Sequence, residues 1–211
     1  RVVGDIYAVV IRAEGGRILR FFALDERRRG DRYLAEAVVS GVGGHCRGRP
    51  AERGGFALQR SCGDRHLVEF MNADEYLANP ETVEKFITSD SGITVLAPSS
   101  VWGEVRKYGG NNNYVLFDRH TLWTQNDISF YAVKAQHSDP FAIGVVIKAE
   151  NRNFYITGDT LYNKEIFPDL PETIHYIFLP VNGVGNNMNA FDAARFVKKC
   201  GAKIAFPMHV G

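Results

Sequence analysis

The chain has 211 residues, 45% of them hydrophobic, with 25 Lys and Arg against 24 Asp and Glu and an isoelectric point near 7.9. That length fits one α/β domain with a substantial core, while a net charge of +1 excludes a strong pull toward nucleic-acid phosphates or an anionic membrane. No apolar run approaches the roughly 20 residues that span a bilayer, and three irregularly spaced cysteines, Cys46, Cys62 and Cys200, make neither a disulfide framework nor a Cys-based zinc site, so a reducing cytoplasm is expected.

Residues 1–70 stand apart in composition: they hold 13 Arg and 11 of the 21 Gly but no Lys, Asn or Thr, whereas the rest holds 4 Arg, 8 Lys and every Asn. Arg27-Arg-Arg-Gly30, Gly41-Val-Gly-Gly44 and Arg47-Gly-Arg49 show little apolar periodicity, which argues against a packed strand layer. Three explanations compete. One is a segment read in the wrong frame, since GC-rich coding sequence out of frame yields Arg, Gly and Ala in excess. The second is a diverged but genuine N-terminal half, opening with a β-hairpin from Ala8-Val-Val-Ile11 to Gly15-Gly-Arg-Ile-Leu19 around a Gly15-Gly16 turn. The third is a basic arm for nucleic acid, against which nine acids among the 13 arginines leave an excess of about four charges. The break divides the chain into an atypical Arg/Gly-rich segment, 1–72, and a domain of ordinary composition, 73–211.

Beyond the break the elements are readable. Asn79-Pro-Glu-Thr-Val-Glu-Lys-Phe-Ile87 has a capping residue, a proline at the first helical position and an early acid, and predicts a helix over 79–88. Ile93 to Ala97 reads as a strand, and 99–108 as a second helix capped by Ser99 or Ser100 and stopped by Gly109-Gly110. Strands are expected over 114–117, 129–135, 143–149, 154–157 and 176–179, then a helix over 189–200 with Ala190, Ala193, Ala194 and Val197 facing in, then a strand running to His209. Helices set among such strands fit a sheet covered on its outer face. Cys200, at the end of a helix, reads as packing.

Three strands end in donors suited to a cation. His137 closes an alternating run and meets the turn Ser138-Asp-Pro140; Asp159 follows Tyr155-Ile-Thr-Gly158; His209 follows Ala205-Phe-Pro-Met208. Imidazole and carboxylate are ligand types for zinc, and strand ends hold them rigidly beside open loops. Any one of the three is also an ordinary turn or surface residue, as His120, His175 and the Asn111 to Asn113 run are read here. The loop 182–189 offers Asn182, Asn186 and Asn187 as substrate-binding amides, with glycines letting backbone come close; it also reads as a strand-to-helix turn capped by Asn187 or Asn189.

The segments His137-Ser-Asp-Pro-Phe-Ala-Ile-Gly144, Tyr155-Ile-Thr-Gly-Asp-Thr-Leu-Tyr162, Phe178-Leu-Pro-Val-Asn-Gly-Val-Gly-Asn-Asn-Met-Asn189 and Phe206-Pro-Met-His-Val-Gly211 together resemble the C-terminal half of metallo-β-lactamase-fold hydrolases, closest to the ascorbate-6-phosphate-lactonase-like branch. The resemblance covers about residues 73–211 and rests on four motifs in order. It implies an αββα sandwich with an abnormal or incomplete N-terminal part, one or two zinc or manganese ions, and metal-activated water acting on a lactone, an ester or a phosphorylated sugar acid. His137 would match the third metal motif, Asp159 the bridging aspartate and His209 the final histidine. Asp139 is a candidate to hold a ligand from behind.

The family's first metal motif, His-x-His-x-Asp-His before a helix, has no counterpart: its place holds Leu67-Val-Glu-Phe-Met-Asn72, with only His66 and Glu69 near. No catalytic residue is therefore assigned. An active hydrolase, a non-catalytic binding module of the same fold and an incomplete chain all remain open; the missing initiating Met and the end at Gly211 suggest a piece of a longer protein. A small-molecule substrate is expected, nucleic acid and membrane are not, and a homo-oligomer is left open.

Overall fold

Alternation of side chains along the strands sorts this chain into four layers. The computed structural model describes residues 9–13, 19–20, 66–69, 80–89, 91–125 and 127–209. One sheet has the order β2-β1-β3-β4-β5, built from β1 (Val9–Ala13), β2 (Leu19–Arg20), β3 (His66–Glu69), β4 (Thr94–Ala97) and β5 (Asn113–Leu116). The other has the order β11-β10-β9-β8-β7-β6, built from β6 (Leu122–Gln125), β7 (Ile128–Lys134), β8 (Ile143–Ala149), β9 (Arg152–Ile156), β10 (Tyr176–Pro180) and β11 (Ile204–Met208).

Successive strand residues face opposite ways. On β8, Ile143, Val145, Ile147 and Ala149 join Phe130 and Ala132 of β7 and Phe154 and Ile156 of β9 in one cluster, which also takes Leu96 of β4 and Phe117 from beyond β5. This cluster lies between the sheets. The intervening residues Val133, Val146 and Tyr155 point the other way, into a second cluster with Ile177, Leu179, Phe196 and Cys200 under the helix α3 (Ala190–Cys200). On the first sheet Val95 and Ala97 face outward against Val83 and Ile87 of α1 (Pro80–Thr88) and Val101 and Val105 of α2 (Ser99–Val105). Helix, sheet, sheet and helix thus stack as the αββα expectation has it.

The opening hairpin expected near residues 8–19 corresponds to β1 pairing antiparallel with β2, and β1 continues the ladder to β3. Its Gly15-Gly16 turn, the arginine and glycine clusters, Cys46 and Cys62 lie outside the described residues. Among the described residues no helix is long and apolar enough to cross a membrane.

Three local readings need correction. The inward stripe of α3 is Ala193, Phe196 and Cys200 with Val197 partly covered, while Ala190 and Ala194 are exposed, because the bulky Phe196 sets which face turns to the sheet. Helix α2 is preceded by Pro98 as its N-cap with no side-chain cap bond, since the Ser99 hydroxyl donates to Asp118 Oδ2 at 2.5 Å and the Ser100 hydroxyl to Asp139 Oδ2 at 2.6 Å. Strand β6 was hidden in a polar connection, where Leu122 and Trp123 give only a short alternation. Elsewhere Asn189 caps α3 by accepting the Asp192 N–H at 2.9 Å, and Gly201 ends it at φ 65°. Burial pushes the Cys200 thiol up to about 12, in keeping with a packing role.

Gly144 lies in close contact with the neighbouring strand. A Cβ there would meet the Thr157 carbonyl oxygen and Tyr155 Cε2, both at 3.0 Å, and backbone oxygen cannot rotate away. Gly144→Ala is expected to cost about 1–3 kcal/mol in thermal or denaturant unfolding, an overpacking penalty that an unchanged midpoint would contradict.

Candidate functional site

Strand direction gathers the sequence-predicted donors. Strands β7 and β8 pair antiparallel, as do β8 and β9, so β7 and β9 run the same way; β9, β10 and β11 are mutually parallel. The C-terminal ends of β7, β9, β10 and β11 therefore share one rim, and from them emerge His137, Asp159, the loop 182–189 and His209. In the first sheet β3, β4 and β5 are parallel, and the Ser100 to Asp139 bond ties the end of β4 to this same rim.

The loops carrying His137 and Asp159 are stitched side by side. The Gln136 N–H donates to Thr160 Oγ1 at 2.8 Å, and the Gln136 carbonyl accepts the Leu161 N–H at 2.9 Å. Thr160 is fully buried, so its hydroxyl replaces water as partner for that amide. Gly158 at φ 61° makes the sharp turn that projects Asp159. His209 is itself left-handed, at φ 51°, a conformation that costs a β-carbon residue about 1–2 kcal/mol and that recurs where a site imposes it.

Its Nε2 lies 3.0 Å from Asp159 Oδ1, with the imidazole 11% and the carboxylate 30% exposed. Two of the three predicted donors are thus in direct contact across neighbouring loops. His137 shares the rim, but its Nδ1 accepts the Asp139 N–H at 3.0 Å. A metal-bound histidine ordinarily donates through its second nitrogen, and here that nitrogen instead faces a backbone donor. Among the described residues no group of three or more His, Cys, Asp or Glu is placed to hold a metal ion. Asp159 and His209 have the right donor chemistry, but a mutually bonded pair falls short of the three or four ligands of a zinc or manganese centre. The described residues do not fit one.

The neighbours of these donors were less legible. Asp139 does hold His137, but through its backbone N–H; its carboxylate accepts from Ser100 and from the Phe141 N–H at 2.8 Å. Asp118 bonds the Ser99 backbone N–H at 2.8 Å and so joins the ends of β4 and β5 at the same rim. One or the other serine was read as the cap, and nothing in a lone serine announces a partner 19 or 39 residues away. His66 and Glu69 belong to β3, their side chains outside what is described, and the stretch 70–79 after them also lies outside the described residues. Asn112 is structural: its amide donates to the Ile87 and Ile93 carbonyls at 3.1 and 3.3 Å. His120 bonds Asp169 at 3.0 Å, and His175 Nδ1 accepts the Asn153 N–H at 3.0 Å.

The asparagine loop folds against the two donor loops. Asn186 Nδ2 donates to Ser138 Oγ at 3.0 Å, and the Met188 N–H donates to the Thr160 carbonyl at 3.0 Å. Asn182 turns inward on its own loop, accepting the Val184 N–H at 3.2 Å and bridging to Asn189. Asn187 is buried, and its side-chain oxygen has no hydrogen-bond partner.

No family model and no curated protein matches the sequence. Solved structures do. The metallo-β-lactamase-fold protein YhfI from Bacillus subtilis is similar over 70% of this chain and 74% of its own, with 14% identity and a TM-score of 0.56. A candidate metal-dependent hydrolase from Parabacteroides distasonis is similar over 58% of this chain and 56% of its own, with 23% identity and a TM-score of 0.48. CmlA, a diiron β-hydroxylase from Streptomyces venezuelae, matches over 57% and 31% respectively, with 11% identity and a TM-score of 0.49. Only the first of these carries weight, and what it shows is the fold: the chain has the metallo-β-lactamase fold, as its motifs imply. Identity this low transfers no activity.

Proposed function

We propose that this chain is built as a hydrolase of the metallo-β-lactamase type, its rim taking a small lactone, ester or phosphorylated sugar acid, and that its catalytic power is compromised by an incomplete donor set. The observation that supports it is the Asp159–His209 contact at a rim shared by His137 and the asparagine loop. That rim also answers the general expectation that open α/β sheets bind ligands beyond the carboxyl ends of their strands. The ascorbate-6-phosphate-lactonase-like motifs favour the substrate class, and zinc or manganese belongs with it.

A second reading, a binding module without turnover, draws on a specific observation. The six histidines of the chain include no His-x-His-x-Asp-His, and the described donors stop at a bonded pair. The asparagine loop nevertheless folds against the loops that carry His137 and Asp159. Elemental analysis after dialysis against zinc or manganese, together with a lactone and phosphoester hydrolysis panel, separates the two. The compromised hydrolase predicts weak turnover that rises with added metal, and the binding module predicts a folded chain that retains no metal and shows no turnover at any metal concentration. About two metals per chain with brisk hydrolysis would instead establish a competent enzyme, its remaining ligands supplied from outside the described residues.

A further inference from the structure

Two serines open α2, and each reaches an aspartate beyond a different sheet. The Ser99 hydroxyl donates to Asp118 Oδ2 at 2.5 Å and its backbone N–H to Asp118 Oδ1 at 2.8 Å, fastening the first residue of the helix to the chain just past β5. The Ser100 hydroxyl reaches the second sheet instead, donating to Asp139 Oδ2 at 2.6 Å, a length typical of a bond to a charged oxygen. A serine at a helix start ordinarily caps its own helix, but α2 has Pro98 at its cap and no side-chain cap bond. Val101 and Val105, next along the helix, have no solvent exposure and pack against the first sheet, so Ser100 stands on a firmly seated element.

Asp139 converts that bond into an orientation. Its Oδ1 accepts the Phe141 N–H at 2.8 Å, closing an Asx turn, so both carboxylate oxygens are engaged and the backbone of the turn is held. The N–H of this same residue donates to His137 Nδ1 at 3.0 Å. On either side, Gln136 is stitched to Thr160 and Leu161, and Ser138 accepts from Asn186, all of them partners carried by the second sheet. Ser100 brings in the first. We infer that Ser100 is a positioning residue of the rim: through Asp139 it fixes the orientation of the His137 imidazole, so that a side chain carried by one sheet is set by a helix packed on the other. Without the hydroxyl the turn at Asp139 is held through one oxygen fewer, and the N–H that meets the ring loosens with it. The bearing of this on a bound molecule rests on the reading of the rim as a hydrolase-type site.

The test is NMR of the ligand-free chain, with the His137 ring signals identified by their loss in His137→Gln. Ser100→Ala is expected to shift those signals and to speed hydrogen exchange of the Asp139 and Phe141 amides about tenfold, as the loss of one hydrogen bond to a charged group would allow. Ser100→Thr keeps the hydroxyl and should restore both to wild-type values. If Ser100→Ala does not fold, Ser100→Val against Ser100→Thr makes the same comparison, two side chains of like shape that differ in the hydroxyl. Ser99→Ala removes the neighbouring hydroxyl from the same helix end and should lower the melting temperature while leaving the His137 signals in place, which separates positioning from stability. The proposal is overturned if the ring signals and the two amides are unchanged without the Ser100 hydroxyl, if threonine fails to restore them, or if Ser99→Ala disturbs them equally. No substrate enters the measurement, so its outcome is independent of the lactone and phosphoester panel, whose failure would count against the hydrolase reading and leave the tie between Ser100 and the His137 turn standing.

Discussion

Phe196→Ala is expected to destabilise the chain by about 3–5 kcal/mol, the usual range for emptying a fully buried phenylalanine site. Phe196 has no solvent exposure, and three aromatic rings pack around it: Tyr155 of β9 at 6.3 Å between centroids, Tyr162 at 6.0 Å edge-on, and Phe167 at 5.1 Å. It is thus the point at which α3, the second sheet and the 3-10 helix Lys164–Asp169 meet. Tyr155 is itself fully buried, so its packing on the other side limits how far the vacated space can be refilled, and the cavity would stay largely open. For a domain of this size the loss corresponds to roughly 10 °C in melting temperature. Phe191→Ala is the control, because that ring is 73% exposed on the same helix and should change stability by no more than about 0.5 kcal/mol. Equal effects of the two would mean that α3 does not pack on the sheet. The consequence reaches the rim, since α3 is capped by Asn189, where the asparagine loop closes.

Most of the second sheet was legible because its strands are short apolar runs that end in punctuation. Ile143 to Ala149 could be bounded to the residue, and the cap of the last helix narrowed to Asn187 or Asn189, of which the structure shows Asn189. What escaped were relations between distant segments. The Ser100 to Asp139 bond joins two sheets, and His120 to Asp169 joins a turn to a 3-10 helix; each pairs unremarkable polar residues whose spacing carries no period. The donor trio was legible as types at strand ends, and strand direction explains why they share a rim. The Asp139 N–H bond to the His137 ring was not, because it depends on which backbone N–H the following turn aims at the ring.

Asp169 carries the other large effect. Its side chain is 7% exposed, and its two oxygens take four bonds: Arg119 Nε at 2.7 Å, Arg119 Nη2 at 3.0 Å, His120 Nε2 at 3.0 Å and the Lys134 N–H at 3.2 Å. Burial alone would raise this carboxyl, but the bonds from Arg119, His120 and the Lys134 amide outweigh it and hold it at about 2, below its ordinary 3.8. Folding therefore favours the ionised form. Its contribution is fully present above about pH 4 and is lost as the pH falls through about 2. The shift alone corresponds to about 2 kcal/mol, and because Arg119 and His120 are 42% and 57% exposed, solvent screening brings it nearer 1 kcal/mol. Asp169→Asn should thus weaken the fold at neutral pH by about 1 kcal/mol and converge with wild type near pH 2 in chemical unfolding. Asp169→Ala should cost more, about 3 kcal/mol, because the Lys134 amide also loses its acceptor. Lys134 opens the segment that leads to His137, so the alanine variant should also broaden the His137 ring signals in NMR. An offset between wild type and Asp169→Asn that stays constant from neutral pH to about pH 2 would show that the carboxylate's charge plays no part in holding this corner of the rim.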